Sequence, residues 1–325
     1  SSGAESAVNI SGDGGLSFQS VTRLGSDSGA AWKAAAEIDI GEWINRPDRY
    51  HLKLYHKEIE SGFHSAGHSS EEGTAKSGIL LRLRPTEADT LLARYDTEDR
   101  DVTQATAIEL LSSATVQWQH QQGRWRLISE YQANESETLG GLTVEDQFAT
   151  VRLEYETGKG LLAWIEQQQT LSGMDNDQSS IGLDYQLNSM ISMHASATDG
   201  TRGQSAEGGI SVNLGNSRLY ITQRLNETEA ERSTTTVVGG EQMNDKIGRI
   251  YSEYQWARSD TGYHNLSIVG AEKGWDLQPG LHLFVGGELS KTSNAGSESK
   301  RTSIASGISY KLGELFHISS RNEIR

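Results

Sequence analysis

Apolar residues at every second position are the feature that most constrains what this chain can fold into. In ATVRLEYETGKGLLAWIEQQQTL (149–171), Ala149, Val151 and Leu153 alternate with polar residues such as Arg152. A period of two residues is the signature of a β-strand with two different faces. The TGKG turn and the apolar residues after it predict a β-hairpin. Because no long helix nearby could cover the apolar face, that face must meet either another sheet or lipid.

The same alternation recurs along most of the chain. The predicted strands are 16–24, 30–40, 50–59, 77–84, 89–96, 113–121, 124–133, 147–156, 160–170, 179–187, 190–197, 207–214, 217–225, 247–257, 263–271, 281–290, 300–311 and 314–320. Several reach about ten residues, which is long for a soluble strand and right for a tilted strand that crosses a membrane. The one helix signal, VTQATAIELL (102–111), is interpreted as a loop decoration or a frayed strand. No βαβ rhythm is present, so we predict an antiparallel sheet.

Composition excludes several classes of protein. The chain has 325 residues, no cysteine and a net charge of −15. Without cysteine there are no disulfides and no thiolate zinc sites, and the negative charge argues against nucleic acid as a partner. There is no run of 18 apolar residues, so a transmembrane helix is excluded. The mean hydropathy of −0.56 is typical of a soluble protein, but it also fits a membrane barrel that exposes only alternate residues to lipid.

The connections between predicted strands alternate in length. The short ones are RPTEAD, HQQG, ETGKG, LNS and LGNS, and the long polar ones include NESETLGGLTVED, TDGTRGQ and LNETEAERSTTTVVGGEQMND. An antiparallel meander with such links has two different ends, as in bacterial outer-membrane barrels with short periplasmic turns and long extracellular loops.

Aromatic residues near the turns support the same interpretation. Tyrosine and tryptophan favour the boundary between membrane and water, where they form girdles. The predicted membrane-interface aromatics are Trp118, Trp125, Tyr155, Trp164, Tyr185 and Trp256.

In its pattern along the whole chain, the sequence resembles bacterial outer-membrane β-barrel proteins of the porin-like and OmpA-type class. The resemblance implies an all-β fold: a single antiparallel up-and-down transmembrane barrel of about 16–18 strands. The sequence contains no domain linker and no internal repeat beyond the hairpin rhythm, so we predict one domain over residues 1–325, with 1–14 as a flexible N-terminal tail. The implied location is the bacterial outer membrane, with lipid and lipopolysaccharide as partners, and with envelope proteins or further copies of the chain as additional partners.

If the apolar set faces lipid, the alternate set faces the lumen. The predicted lumen-lining residues are Lys53, Lys57, Arg82, Arg84, Arg94, Arg124, Arg126, Arg152, Glu130, Glu154, Glu166, Asp184 and Glu253. Basic and acidic groups facing each other across water would orient dipolar solutes and set ion preference. We therefore predict a porin-like channel for passive diffusion of small hydrophilic solutes or ions.

Two other functions fit the same pattern. The chain could be a structural or anchoring barrel that holds a larger cell-envelope or surface assembly, and its interior charges could pair and close the lumen. Alternatively, the apolar faces could pack between two sheets of a soluble all-β binding module.

The sequence gives no support for catalysis or for a bound cofactor. It has no GxSxG elbow and no GxxxxGK[ST] phosphate loop. The acidic segments and the histidines His64 and His68 lack the spacing of a metal site. We predict no enzyme activity, no metal and no cofactor.

Overall fold

The computed structural model describes residues 30–47, 49–59, 73–101, 108–228, 231–260, 262–294, 297–312 and 316–324. The fold is all-β, with one short 3-10 helix at Ile40–Ile44. The strands are β1 (Ala30–Asp39), β2 (Tyr50–Ile59), β3 (Thr74–Leu83), β4 (Asp89–Arg100), β5 (Ile108–Gln122), β6 (Trp125–Thr138), β7 (Thr143–Glu156), β8 (Leu161–Ser172), β9 (Gln178–Gln186), β10 (Ile191–Gly200), β11 (Gly203–Leu214), β12 (Ser217–Glu227), β13 (Arg232–Asn244), β14 (Gly248–Ser259), β15 (Gly262–Gln278), β16 (Leu281–Asn294), β17 (Ser297–Leu312) and β18 (Phe316–Ile324). In the part of the chain that is described, no helix has both the length and the apolar character needed to cross a bilayer.

The sheet closes on itself. Consecutive strands pair antiparallel, and β1 pairs with both β2 and β18. The 18 strands therefore form one up-and-down barrel, which confirms the predicted fold class and strand number. With neighbouring strands about 4.8 Å apart and tilted by about 40°, such a barrel is about 36 Å across its backbone.

Among the described connections, the two ends of the barrel differ less in loop length than the sequence predicted. We call the end with the turns after odd-numbered strands the odd rim, and the opposite end the even rim. At the even rim, the segment NESETLGGLTVED contains only a short turn at 139–142, and TDGTRGQ only the turn 201–202. The predicted long loops are largely extensions of paired strands, because the continued ladder satisfies backbone groups that a loop would leave to water. The connections 60–72 and 102–107, the predicted strand 16–24 and the predicted tail 1–14 lie outside the described residues.

Strand β13 was missed by the sequence analysis, which assigned it to the longest loop. Its sequence, RSTTTVVGGEQMN, has no apolar face to produce a period of two. The β-branched threonines and valines favour a strand nevertheless, and β13 pairs along its length with β12 and β14. Similarly, Ile108–Leu111 of the candidate helix belongs to β5.

The exposure of side chains shows which face points outward. Large apolar residues are exposed, for example Val151 (48%) and Ile165 (55%), whereas Gln117 (1%) and Thr150 (3%) are buried. This is the reverse of a soluble protein, in which large apolar side chains are hidden and polar ones are exposed. In a closed barrel the apolar set faces outward, as in transmembrane barrels. The apolar faces are not packed between two sheets, so the soluble sandwich was the wrong alternative.

Candidate functional site

The inner wall of the barrel carries the polar and charged residues that the sequence assigned to a lumen. Strand pairing places Arg126 opposite Glu154, Arg152 opposite Glu166, and Glu130 opposite Thr150, all on the inner face. The strand register also places the other predicted residues on the inner face. They are Lys53, Lys57, Arg82, Arg84, Arg94, Arg124, Asp184 and Glu253. Arg84 and Arg124 lie just beyond the ends of their strands, at the odd rim. The role of these residues in permeation remains a prediction.

Three strands carry a ladder of alternating charges. The Arg126 Nε donates to Glu154 at 2.6 Å. Arg152 lies between two carboxylates, 3.3 Å from Glu154 and 3.7 Å from Glu166. Both carboxylates are nearly inaccessible to solvent. A buried charge is tolerated only when it is paired, so the ladder accounts for how these acids are held in the wall.

Trp164 is a correction to the predicted membrane girdle. It lies on the inner face of β8, opposite Glu154 and Gly182, and the Arg152 guanidinium lies 3.8 Å from the centre of its ring. The misassignment arose because both faces of LLAW are apolar near the turn. Parity with Glu166, two residues further on, could have placed this tryptophan inside.

The other predicted girdle residues lie on the outer face. Trp118, Trp125, Tyr155 and Tyr185 occupy the part of their strands near the odd rim, and Trp256 lies near the even rim. The rings of Trp125 and Tyr155 are 4.5 Å apart. The indole of Trp118 donates to Asp89 at 3.0 Å. Two aromatic levels with an apolar band between them are typical of membrane barrels, and contact with lipid headgroups remains a prediction.

A repeated inner-wall arrangement, which the sequence analysis missed, spans three strands each time. A tyrosine lies across a glycine on the next strand, and its hydroxyl donates to a carboxylate on the strand after that. The three sets are Tyr55, Gly78 and Asp96; Tyr220, Gly239 and Glu253; and Tyr251, Gly270 and Glu288. In each set the three residues lie directly opposite one another in the strand register. Glycine is required because the ring occupies the position of its side chain.

Some inner-wall charges have no partner of opposite sign. Arg82 and Arg84 make no ion pair with any residue that the structure describes, and the Nε of Arg82 is buried without a hydrogen-bond partner. On the opposite side of the ladder, Asp184 likewise has no described ion pair. In this respect they differ from Arg126 and Arg152, which neutralise carboxylates of the wall.

The described residues contain no group of three or more histidine, aspartate or glutamate side chains arranged to hold a metal ion. His194 lies 3.3 Å from Glu207, and His120 lies 2.8 Å from Asp89.

Comparison with known proteins identifies the architecture. No family model matches the chain, and no curated protein matches it. Pseudomonas aeruginosa OpdQ is similar in structure, with a TM-score of 0.54, 9% identity, and coverage of 92% of this chain and 96% of that chain. The chain has a porin-like barrel fold. Pseudomonas aeruginosa OpdO is similar at a TM-score of 0.51 and 10% identity, covering 93% of this chain and 97% of its own.

A porin variant from Rh. blastica is also similar, with a TM-score of 0.47 and 9% identity, covering 92% of this chain and 99% of that chain.

Proposed function

We propose that this porin-like barrel is a channel of the bacterial outer membrane for passive diffusion of small hydrophilic solutes or ions. The observation that carries the proposal is the inverted exposure of a closed barrel: apolar side chains outside, and charged ones such as Arg82 and Asp184 inside. At about 36 Å across its backbone, an 18-stranded barrel leaves room for water between opposite walls. Lipid and lipopolysaccharide would surround the apolar band.

The unpaired arginines would set ion preference. Arg82 and Arg84 add positive potential to one side of the lumen, and charges without a partner act on passing ions more strongly than neutralised ones. Arg126, which shares Glu154 with Arg152, contributes less.

Planar-bilayer recording tests both parts of the proposal. The wild-type chain should insert with stepwise conductance, and its reversal potential in a salt gradient reports ion preference. Arg82→Gln with Arg84→Gln should shift that preference toward cations, and adding Arg126→Gln should shift it further. Arg258→Gln is a matched control, because Arg258 lies on the outer face of β14 near the even rim. Absence of conductance steps would overturn the channel, and an unchanged reversal potential would overturn the role of the arginines.

A second candidate function is a structural or anchoring barrel. It is favoured by the low exposure of inner-wall groups, with Glu253 at 2% and Ile268 at 1%, because a tightly packed interior leaves less room for solutes. An anchoring barrel would copurify with an envelope protein or as a homo-oligomer, and it would show no conductance in the same bilayers. Neither function requires catalysis, and we propose that the chain is not an enzyme.

A further inference from the structure

A cavity opens on the inner wall at the odd rim. Its volume is about 460 Å³. It is lined by the odd-rim ends of strands β5–β10 and by the turn at Gly160. Cavities of about 300–1,000 Å³ are typical of small-molecule sites. The acidic and basic residues that line the cavity are Arg124, Arg126, Glu154, Glu156, Asp184 and His194.

Only some of these charges are neutralised by the wall. Arg126 and Glu154 bind each other, and His194 faces Glu207. Arg124, Glu156 and Asp184 make no ion pair with any described residue. The cavity therefore contains one guanidinium and two carboxylates that are available to a ligand.

The strand register fixes how far apart the three available charges, Arg124, Glu156 and Asp184, lie along the cavity wall. Leu162 on β8 lies directly opposite both Glu156 on β7 and Asp184 on β9. Neighbouring strands are about 4.8 Å apart, so the backbones that carry the two carboxylates are about 10 Å apart, with an apolar side chain between them. Arg124 extends this row by one position: it lies directly opposite Glu156, whose backbone N–H donates to the Arg124 carbonyl at 2.9 Å. Its guanidinium is turned toward Gly158, beside the turn after β7.

We propose that this rim cavity binds a small zwitterion of the amino-acid type. The ligand carboxylate binds Arg124, whose planar guanidinium accommodates two oxygens at once. The ligand ammonium lies between Glu156 and Asp184, and an apolar side chain packs on Leu162. A simple anion would leave the two carboxylates unpaired, and a simple cation would leave Arg124 unpaired. The inference deepens the proposed channel function and rests on it for the route by which the solute reaches the rim.

Calorimetric titration of the full chain in detergent micelles tests the site without requiring conduction. The probes are leucine, leucine methyl ester, which keeps only the positive charge, and N-acetylleucine, which keeps only the negative charge. We expect saturable binding of leucine, and binding weaker by about tenfold for each derivative, as expected for the loss of one charge-assisted contact.

Two substitutions assign the contacts. In Arg124→Gln, leucine should bind no better than its methyl ester, because the carboxylate has lost its partner. In Asp184→Asn, the advantage of leucine over N-acetylleucine should shrink in the same way. Arg202→Gln and Asp199→Asn are matched controls at the even rim, where they should leave all three affinities unchanged.

The outcomes separate this inference from the channel function. Equal binding of the three probes, or no saturable binding of leucine, overturns the zwitterion site even in a chain that conducts. Preference for one derivative over leucine would also overturn it, in favour of a cation or an anion site. Selective binding of leucine by a chain that shows no conductance would support the site and overturn the channel.

Discussion

The phenol ring of Tyr251 lies across Gly270, the residue directly opposite it on the next strand. Its hydroxyl continues over that strand and donates to Glu288 at 2.9 Å. The ring thus ties three strands together from the inside, in addition to the backbone ladder. The same arrangement recurs at Tyr55, across β2–β4, and at Tyr220, across β12–β14 immediately beside the Tyr251 set. These sets hold long inner side chains against the wall and keep them out of the lumen.

Adding a methyl group at Gly270 should destabilise the barrel. A Cβ there would stand 2.2 Å from Cζ of Tyr251, so the ring must leave its place. Gly270→Ala should lower the free energy of unfolding by about 1–3 kcal/mol, as other overpacking substitutions do. Urea unfolding in lipid vesicles measures the change.

Gly208→Ala is the control for that experiment. Gly208 lies on a strand of the same barrel, but the nearest atom to its added Cβ is 3.7 Å away. Its unfolding free energy should stay within about 0.5 kcal/mol of the wild type. Equal losses at the two glycines would contradict a specific role for the Tyr251 ring.

Removing only the hydroxyl of Tyr251 isolates its hydrogen bond. Tyr251→Phe keeps the ring over Gly270 and deletes the donor to Glu288, so we expect a loss of about 1–2 kcal/mol in unfolding free energy. Tyr254→Phe on the outer face of the same strand, where the side chain is 46% exposed, should have little effect. If both variants unfold at the same urea concentration as the wild type, the Glu288 bond contributes nothing to stability.

Arg152 should contribute to the stability of the barrel because it pairs with two buried carboxylates, Glu154 and Glu166. Arg152→Met leaves Glu166 without a described cation within ion-pair distance, whereas Glu154 keeps Arg126. Breaking a buried pair by removing one partner costs about 3 kcal/mol. Equilibrium unfolding of this variant should show a loss of that order.

Neutralising the orphaned acid should restore much of that stability. The double variant Arg152→Met with Glu166→Gln removes the uncompensated charge, and a double-mutant cycle with Glu166→Gln alone gives the coupling between the two residues. A coupling near zero would show that Arg152 acts on Trp164 or Glu154 instead.

A charge on the outer face should be costly in the middle of the apolar band and tolerated near the rim. Val151→Arg on β7 should destabilise the barrel in vesicles by about 2–4 kcal/mol, and Thr143→Arg, on the same outer face at the even-rim end of the strand, by only about 0–1 kcal/mol. The measurement is unfolding free energy in lipid bilayers. Equal costs at the two positions would argue against a membrane around this face.

The sequence predicted most of the wall because alternation is a local property. The hairpin at 149–171 is an example: Val151 faces outward and Arg152 inward, as a period of two residues requires. The prediction was wrong where alternation gives no signal. In LLAW both faces are apolar, so Trp164 was wrongly predicted to face outward. In STTTVVGG neither face is apolar, so β13 was wrongly predicted to be a loop.

The candidate site was only partly accessible to the same reasoning. Inward parity identified Arg124, Arg126 and Asp184 as residues of the inner wall. It could not show that Arg126 is neutralised by Glu154 while Arg124 and Asp184 remain available at one cavity. Which charges pair depends on the register between strands, and a shift of one residue would exchange the two faces.

By itself, the sequence determined that this chain forms long antiparallel strands with one apolar face and one charged face, since the backbone pleat sends successive side chains to opposite faces. Only the tertiary structure decided that 18 strands close into a ring, which glycine lies beneath which tyrosine, and which charges remain unpaired. The reason is physical: closure and register depend on hydrogen bonds between residues far apart in the chain, and those bonds satisfy every strand edge at once.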